Sequence, residues 1–417
     1  LRNLSLRTLR VVRQLRRFHG GDGGLAAYPP AIKDQMLDYA SGLLLQWVSP
    51  QAFQSRKKPI GALCIMTGAK NREFIDLRSD TVTRPTPAMR RAMSEADVGD
   101  DVFGDDPTVI RLQQTAADML QTEAALFLPS GTQSNLCALL SHCQRGDEYI
   151  VGQTAHTYRM EAGGAAVMGS IQPQPLNFEP DGTLDLDLVA ANIKPDDPHF
   201  AISRLLCLEN TQNGKVLPMD YLANARRLAD GYGLKLHLDG ARVFNAAVKL
   251  DVPVSDISRH FDSVSVCLSK GLCAPVGSVL CGSREFIRTA HRWRKMLGGG
   301  MRQAGVLASA GILALMEQVD HLKRDHMNAA VLAEHLGSID ELEIRYDGNQ
   351  TNMIFAAVKT GLLPTLMKEM KTRGVLIHGF GDTMRLVTHH DFKADQIGLV
   401  VDAFKNFFQA PQQSAAG

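Results

Sequence analysis

The sequence has almost no net charge. Its 45 lysines and arginines are matched by 44 aspartates and glutamates, so no whole-chain field draws it to nucleic acid or to an anionic membrane surface. No uninterrupted apolar run reaches the ~18 residues that a membrane-spanning helix needs, which predicts a soluble protein. The seven cysteines (Cys64, Cys137, Cys143, Cys207, Cys267, Cys273 and Cys281) form no Cys-x-x-Cys pair and mostly sit in apolar runs. That usage excludes a disulfide framework and predicts reduced, buried thiols in a cytoplasmic protein. There is no internal repeat and no coiled-coil heptad. The dinucleotide fingerprint and the Walker motif are both missing, and no metal site is expected.

What is present is the composition of a globular α/β protein. Apolar residues make up 45% of the chain and 36 glycines are spread along it. At ~100 to 200 residues per domain, 417 residues predict two or three domains. The first 65 residues stand apart: they open with Leu-Arg-Asn-Leu-Ser-Leu-Arg-Thr-Leu-Arg and contain no acidic residue before Asp22. The pattern is that of an organellar transit peptide. The chain begins with Leu, however, and Met66 stands just before the organised part, so upstream sequence translated in frame is the preferred reading. We therefore expect residues 1–73 to be an N-terminal extension, disordered or absent from the native protein.

From Phe74 onward, short apolar runs alternate with helical patterns, the signature of βαβ units and a mostly parallel sheet. Strands are expected at 125–128, 149–152, 205–209, 236–239, 263–268 and 277–281, with helices opening at Ser130 and over 219–232. Polar residues recur at the carboxyl ends of these strands, the edge where open α/β sheets bind ligands. Long helices are expected over 303–319 and 324–336, then strands at 342–346, 353–358, 375–378 and 385–388. The expected organisation is a large domain over 74–322, a small α+β domain over 323–409 and a disordered tail over 410–417.

Lys270 follows the β-rich run Ser-Val-Ser-Val-Cys-Leu-Ser. Burial favours the neutral amine, which can then form a Schiff base with an aldehyde. Alone, a lysine at a strand end is an ordinary solvated edge residue. In Leu-His-Leu-Asp-Gly-Ala-Arg a strand delivers Asp239, with Arg242 close behind. A buried carboxylate there could hold a proton on a pyridine nitrogen, with an Asp that caps the next helix as the less favoured, plainer alternative. Leu-Pro-Ser-Gly-Thr-Gln-Ser-Asn joins a strand to a helix start. Its free N–H groups, with Gly131 permitting close approach and Thr132 adding a hydroxyl, suit a phosphate; alone it is a common N-cap. An anion cup, an acid and a later lysine on successive strand ends together point to pyridoxal 5'-phosphate. His156 could stack on the ring or move a proton, and His199 carries a weaker signal. Arg385 ends a small-domain pattern from which a guanidinium could grip a substrate carboxylate, with a surface ion pair as the plainer alternative. The glycines before Arg302 would let it approach an anion, in this subunit or a neighbouring one.

These segments resemble one family in order and spacing: 76–83, 98–109, Pro-Ser-Gly-Thr-Gln-Ser-Asn, Ala-His-Thr-Tyr, 209–218, Asp-Gly-Ala-Arg, Leu-Ser-Lys-Gly-Leu, Gly-Gly-Gly-Met-Arg-Gln and Arg-Leu-Val-Thr-His. The chain is similar, over about 76–408, to the low-specificity L-threonine aldolases. The resemblance implies a fold-type-I pyridoxal-phosphate enzyme whose large domain has a mostly parallel seven-stranded sheet between helices. It implies a homotetramer, a dimer of dimers, with shared active sites. In that family's terms Lys270 holds the cofactor, Asp239 pairs with the pyridine nitrogen and His156 stacks on the ring. Gly131, Thr132 and Arg302 of another subunit bind phosphate. Ser79, Arg242 and Arg385 hold the substrate carboxylate or a cofactor oxygen, and His199 is a second active-site histidine. Phe103, Gln212 and Met160 stand where the family commonly has Tyr, His and an aromatic residue, which leaves aldehyde preference and threo/allo selectivity open. The implied reaction is cleavage of L-threonine and L-allo-threonine to glycine and acetaldehyde. The alternatives are β-elimination, hydroxymethyl transfer or transamination on the same cofactor, or a non-catalytic protein that keeps the fold.

Overall fold

The computed structural model describes residues 74–409. The expectations for 1–73, for Cys64 and for 410–417 lie outside the described residues.

A short strand β1 (Ile75–Asp76) comes first. The large sheet is then built from β2 (Ala124–Leu128), β3 (Asp147–Gly152), β4 (Gln172–Leu176), β5 (Ile202–Glu209), β6 (Lys235–Gly240), β7 (Ser263–Cys267) and β8 (Ser278–Gly282). Their order is β2-β8-β7-β6-β5-β3-β4, and only β8 runs against its neighbours. β3, β7 and β8 are buried along their whole length, as expected of strands covered by helices on both faces. The parallel strands β3, β5, β6 and β7 therefore end on one edge, at Gly152, Glu209, Gly240 and Cys267. This is the mostly parallel seven-stranded sheet that the resemblance implied. The edge strand β4 was not among the expected strands. Its Pro173 and Pro175 lack the N–H of a ladder donor, which an edge position tolerates.

Helices flank this sheet. Gly131–His142 starts at the N-cap Ser130, whose hydroxyl accepts from Gln133 N, and it packs against Arg284–Met296. Met219–Tyr232 ends at Gly233 in the left-handed region (φ 69°), where glycine is favoured.

The C-terminal part has its own sheet. β9 (Glu343–Arg345), β10 (Met353–Ala357), β12 (His378–Phe380) and β13 (Thr383–Val387) pair antiparallel in the order β12-β13-β10-β9. The single strand expected over 375–378 is two. β11 (Val375–Leu376) pairs in parallel with β1, and after Ile377 the chain turns to pair β12 with β13. The first described residues accordingly pack with the last ones: Leu77 is fully buried in a second apolar cluster with Leu332, Leu366, Leu386 and Phe404. Six of the seven cysteines are described, and all six are buried and unpaired. Among the described residues no helix is long and apolar enough to cross a membrane.

The loop over 98–106 is fixed from inside. Arg294, with a side chain 2% exposed, donates to the Phe127 carbonyl at 2.8 Å and lies 2.9 Å from Asp101 Oδ2, an ion pair whose geometry is not that of a hydrogen bond. Removing one partner of a buried pair strands the other charge. Asp101→Ala is expected to destabilise the protein by about 3–5 kcal/mol, read as a fall in the urea midpoint. A midpoint within experimental error of the parent would show that the pair does not hold the loop.

Candidate functional site

The strand-end edge collects the chemistry. Asp239, 2% exposed, lies one residue from the end of β6 and faces Glu209, the last residue of β5, across the ladder. Its Oδ1 accepts from Ala241 N at 3.1 Å and its Oδ2 from Asn135 Nδ2 at 2.9 Å. From the end of β7 the chain runs through Leu268 and Ser269 to the half-buried Lys270. Thr83 Oγ1 donates to the Lys270 carbonyl at 2.8 Å, and the Lys270 ammonium is near enough for its charge to bear on Asp80, Glu209 and His156.

His156 opens the short helix His156–Arg159 just beyond β3. Its backbone N–H donates to Glu209 Oε2 at 2.8 Å, and its Nδ1 lies 2.8 Å from Glu161 Oε1. That carboxylate oxygen also accepts from Asn135 Nδ2 at 3.0 Å. The bond to Glu161 puts the proton on Nδ1 and leaves Nε2 as the free end of a half-exposed ring. The same bond raises the His156 pKa above its ordinary value against the opposing effect of burial. Burial raises Glu161 in turn, partly offset by its bond from His156. Glu209 is raised by burial and then by the negative charge of Asp239. The ligand atoms of His156, Glu161 and Asp239 lie within 4.8 Å of one another. The facing carboxylate oxygens already accept protons from His156 and Asn135, so the cluster stands satisfied as a hydrogen-bond network.

A cationic group lies beside it. Arg242 donates to buried Asp80 through Nε at 2.8 Å and Nη2 at 2.6 Å. Burial alone would raise Asp80, but the charge and bond of Arg242 prevail and hold its carboxyl at about 2. Arg385, on β13, donates only a long 3.3 Å bond to the Arg78 carbonyl, and its buried Nε has no acceptor among the described residues. Burial and then the Arg242 charge lower its pKa. Two guanidinium groups thus share one carboxylate, an arrangement that a further anion would balance. Ser79 precedes Asp80 and caps the turn Asp80–Val82, its Oγ accepting from Thr81 N at 3.2 Å.

At the start of Gly131–His142, Ser130 takes the Gln133 N–H. The N–H groups of Gly131 and Thr132 have no acceptor within the helix, so this turn can receive an anion. Glycine at 131 also has a packing reason. A Cβ there would lie 2.7 Å from Cys267 Sγ, so the helix start is pressed against the end of β7.

Two expected residues are not brought in by this chain. His199 is exposed, bonded only to Asp197, and precedes the first residue of β5, at the amino edge of the sheet opposite the site. Arg302 is 63% exposed and paired with Asp100 at 2.8 Å on the 98–106 loop. Sequence reasoning in turn assigned no role to Asp80, Asn135, Glu161 or Glu209. Asn135 was within reach, since it lies one helical turn after Gly131 and so shares its inward face.

With this geometry in place, comparisons with known proteins are specific. The beta-eliminating lyase family matches residues 76–359. The low specificity L-threonine aldolase of Escherichia coli is 56% identical over 334 residues, 80% of this chain and 99% of that protein. Low-specificity L-threonine aldolase 1 of Arabidopsis thaliana is 44% identical, covering 81% and 98%. Among solved structures, the threonine aldolase of Leishmania major superposes with a TM-score of 0.69 at 20% identity, covering 80% and 99%.

The hydrogen bond to Glu161 is what chiefly raises the His156 pKa, so Glu161→Gln should move the NMR titration midpoint of the His156 ring to lower pH. A midpoint that stays in place would assign the shift to something else.

Proposed function

Since the chain belongs to the low-specificity L-threonine aldolase family, we propose that it cleaves L-threonine and L-allo-threonine to glycine and acetaldehyde with pyridoxal 5'-phosphate. The observation that carries this reading is the meeting of Lys270, acceptor-only Asp239, His156 with its Nε2 free, and underpartnered Arg385 at the carboxyl edge of one sheet.

The residues present fit the cofactor. Asp239 is a buried carboxylate with two donors and no proton of its own to offer, which suits a ring N–H. The uncapped Gly131 and Thr132 N–H groups suit the phosphate, with Arg302 of another copy. When bound, pyridoxal phosphate supplies an aldehyde for Lys270 and an electron-withdrawing ring. Arg385 binds the substrate carboxylate, with Ser79 and Arg242 beside it, and so turns the Cα–Cβ bond to the orientation in which it breaks. His156 Nε2 takes the β-hydroxyl proton as that bond breaks and the aldehyde leaves. A proton returned to Cα completes glycine.

In the same reading residues 74–322 form the cofactor domain and 323–409 the small domain, with β1 crossing to the latter. Residues 1–73 and 410–417 are terminal extensions. The assembly is a homotetramer with shared sites, supported by the exposure of Phe103 (80%) on the loop that carries Asp100, the partner of Arg302. Its place is the cytoplasm, supported by the buried, unpaired thiols.

Incubation with L-threonine should release glycine and acetaldehyde in equal amounts; keto acid without acetaldehyde would sink the aldolase reading. Lys270→Ala should abolish both turnover and the absorbance band near ~420 nm expected of a lysine-bound cofactor. Arg385→Ala should lower kcat/KM for threonine by roughly 10- to 100-fold, the worth of a lost charged hydrogen bond. A value near the parent's would remove Arg385 from substrate binding.

A further inference from the structure

Behind Asp239 runs a line of polar side chains that the reaction does not touch. Asn135 Nδ2 lies 2.9 Å from Asp239 Oδ2 and 3.0 Å from Glu161 Oε1. On the far side, Asn135 Oδ1 lies 3.3 Å from His237 Nε2, His237 Nδ1 is 2.8 Å from Ser263 Oγ, and Ser263 Oγ is 2.7 Å from His142 Nε2. His237 is fully buried. His142 closes the line at the last residue of Gly131–His142, its ring stacked on Phe286 at 4.5 Å.

The chemistry of the groups fixes the direction of every bond. Two carboxylate oxygens can be served only by the NH2 end of an amide, so the Asn135 carbonyl must face His237, and His237 must carry its proton on Nε2. Burial lowers His237 to about 3 and His142 to about 4, so both rings are neutral near pH 7. A neutral imidazole with a proton on Nε2 has a bare Nδ1, which takes the Ser263 O–H. The Ser263 lone pair then faces His142 Nε2, which must donate. Protons thus point one way, from His142 through Ser263, His237 and Asn135 to Asp239 and Glu161. Reversing any link would set an acceptor against an acceptor in a buried site, where an unsatisfied polar group costs about 1–3 kcal/mol.

We propose that His237 is a positioning residue for catalysis: through Asn135 it locks Asp239 as a pure acceptor toward the cofactor ring and orders the Glu161 carboxylate that orients His156. His237 touches neither substrate nor cofactor. The proposal rests on the pyridoxal-phosphate reading for its consequence, whereas the direction of the relay rests on the side chains alone. Its weakest link is the 3.3 Å contact between His237 and Asn135, and loss of that link frees the amide to turn.

Three measurements test it. In 15N-histidine-labelled protein, His237 should be protonated on Nε2 at neutral pH; protonation on Nδ1 overturns the proposal. His237→Phe, with circular dichroism like the parent's, should lower kcat for L-threonine about tenfold at nearly constant KM and weaken binding of pyridoxal phosphate to the apoprotein about tenfold, one lost hydrogen bond in each case. His237→Gln, which can donate to Asn135 and accept from Ser263, should restore both to within about threefold. Parent-like kcat and affinity in the Phe variant, or no rescue by Gln, overturn the role. Where the Phe variant does not fold, Asn135→Leu replaces it, removing the amide through which His237 acts: kcat and cofactor affinity should each fall about tenfold, and parent-like values of both overturn the proposal. A parent protein that neither binds pyridoxal phosphate nor cleaves threonine defeats the functional reading instead, and the tautomer still decides the relay.

Discussion

A buried ion pair, Asp80 with Arg242, joins the two halves of this fold at the place where the site forms. Taking both ions out of water is expensive, and only close, paired geometry compensates. The two bonds of 2.6 and 2.8 Å supply that geometry, and the Asp80 carboxyl held at about 2 shows which effect prevails. The consequence is positional. Asp80 comes three residues after Leu77, which is buried with the C-terminal cluster, whereas Arg242 leads out of β6 in the large sheet. The pair fastens one cluster's chain to the other's ligand edge. Ser79 and Thr83 are placed by the same turn, and Thr83 reaches the Lys270 carbonyl from it.

That fastening explains the uneven distribution of charge at the site. Asp239, Glu209 and Glu161 crowd the ends of β5 and β6 and the His156 helix, and their mutual repulsion is offset by the His156 ring and by the Lys270 charge. Arg242 and Arg385 crowd the other flank, where Asp80 is bonded to Arg242 and bears on Arg385 through its charge. On the proposed function, a bound amino acid presents its carboxylate to the second group. Arg385 is therefore half-desolvated and repelled by its neighbour before any ligand arrives, and an incoming carboxylate relieves both penalties at once.

The sheet was legible because its strands are apolar runs bounded by polar strand ends, and a period of that kind survives any tertiary context. Asp239 and Lys270 were legible for the same reason, as polar residues that terminate buried runs. β4 was not, because Pro173 and Pro175 contradict strand chemistry except at an edge, and edge position is decided by the whole sheet. Hydrogen-bond partners were the least legible. Asp80, Glu161, Glu209 and Asn135 matter through contacts spanning up to 162 residues of sequence, as between Asp80 and Arg242. Gly131 shows the same limit: local reasoning gave an anion's approach, and the packing adds a neighbouring thiol that it could not foresee. His199 is instructive in reverse. It precedes its strand, so strand polarity alone excludes it from its own chain's carboxyl edge.

The three positions at which the resemblance implies a departure from the family pattern, Phe103, Gln212 and Met160, now separate by physical setting. Gln212 is buried, held in a turn by reciprocal backbone bonds with Lys215 at 2.9 Å, and its amide lies 3.4 Å from Thr154 Oγ1. Its place is set by this chain. Phe103 and Met160 are 80% and 65% exposed, a large apolar surface to leave in water. On the proposed tetramer these two side chains find their neighbours only when another copy arrives, together with Arg302. On the proposed function one chain fixes which bond is strained, through Arg385, Asp239 and Lys270. If that assembly forms, it completes the pocket around the departing aldehyde, and a change at Phe103 or Met160 would act on substrate choice through the subunit interface and leave the hydrogen-bond network behind Asp239 as it is.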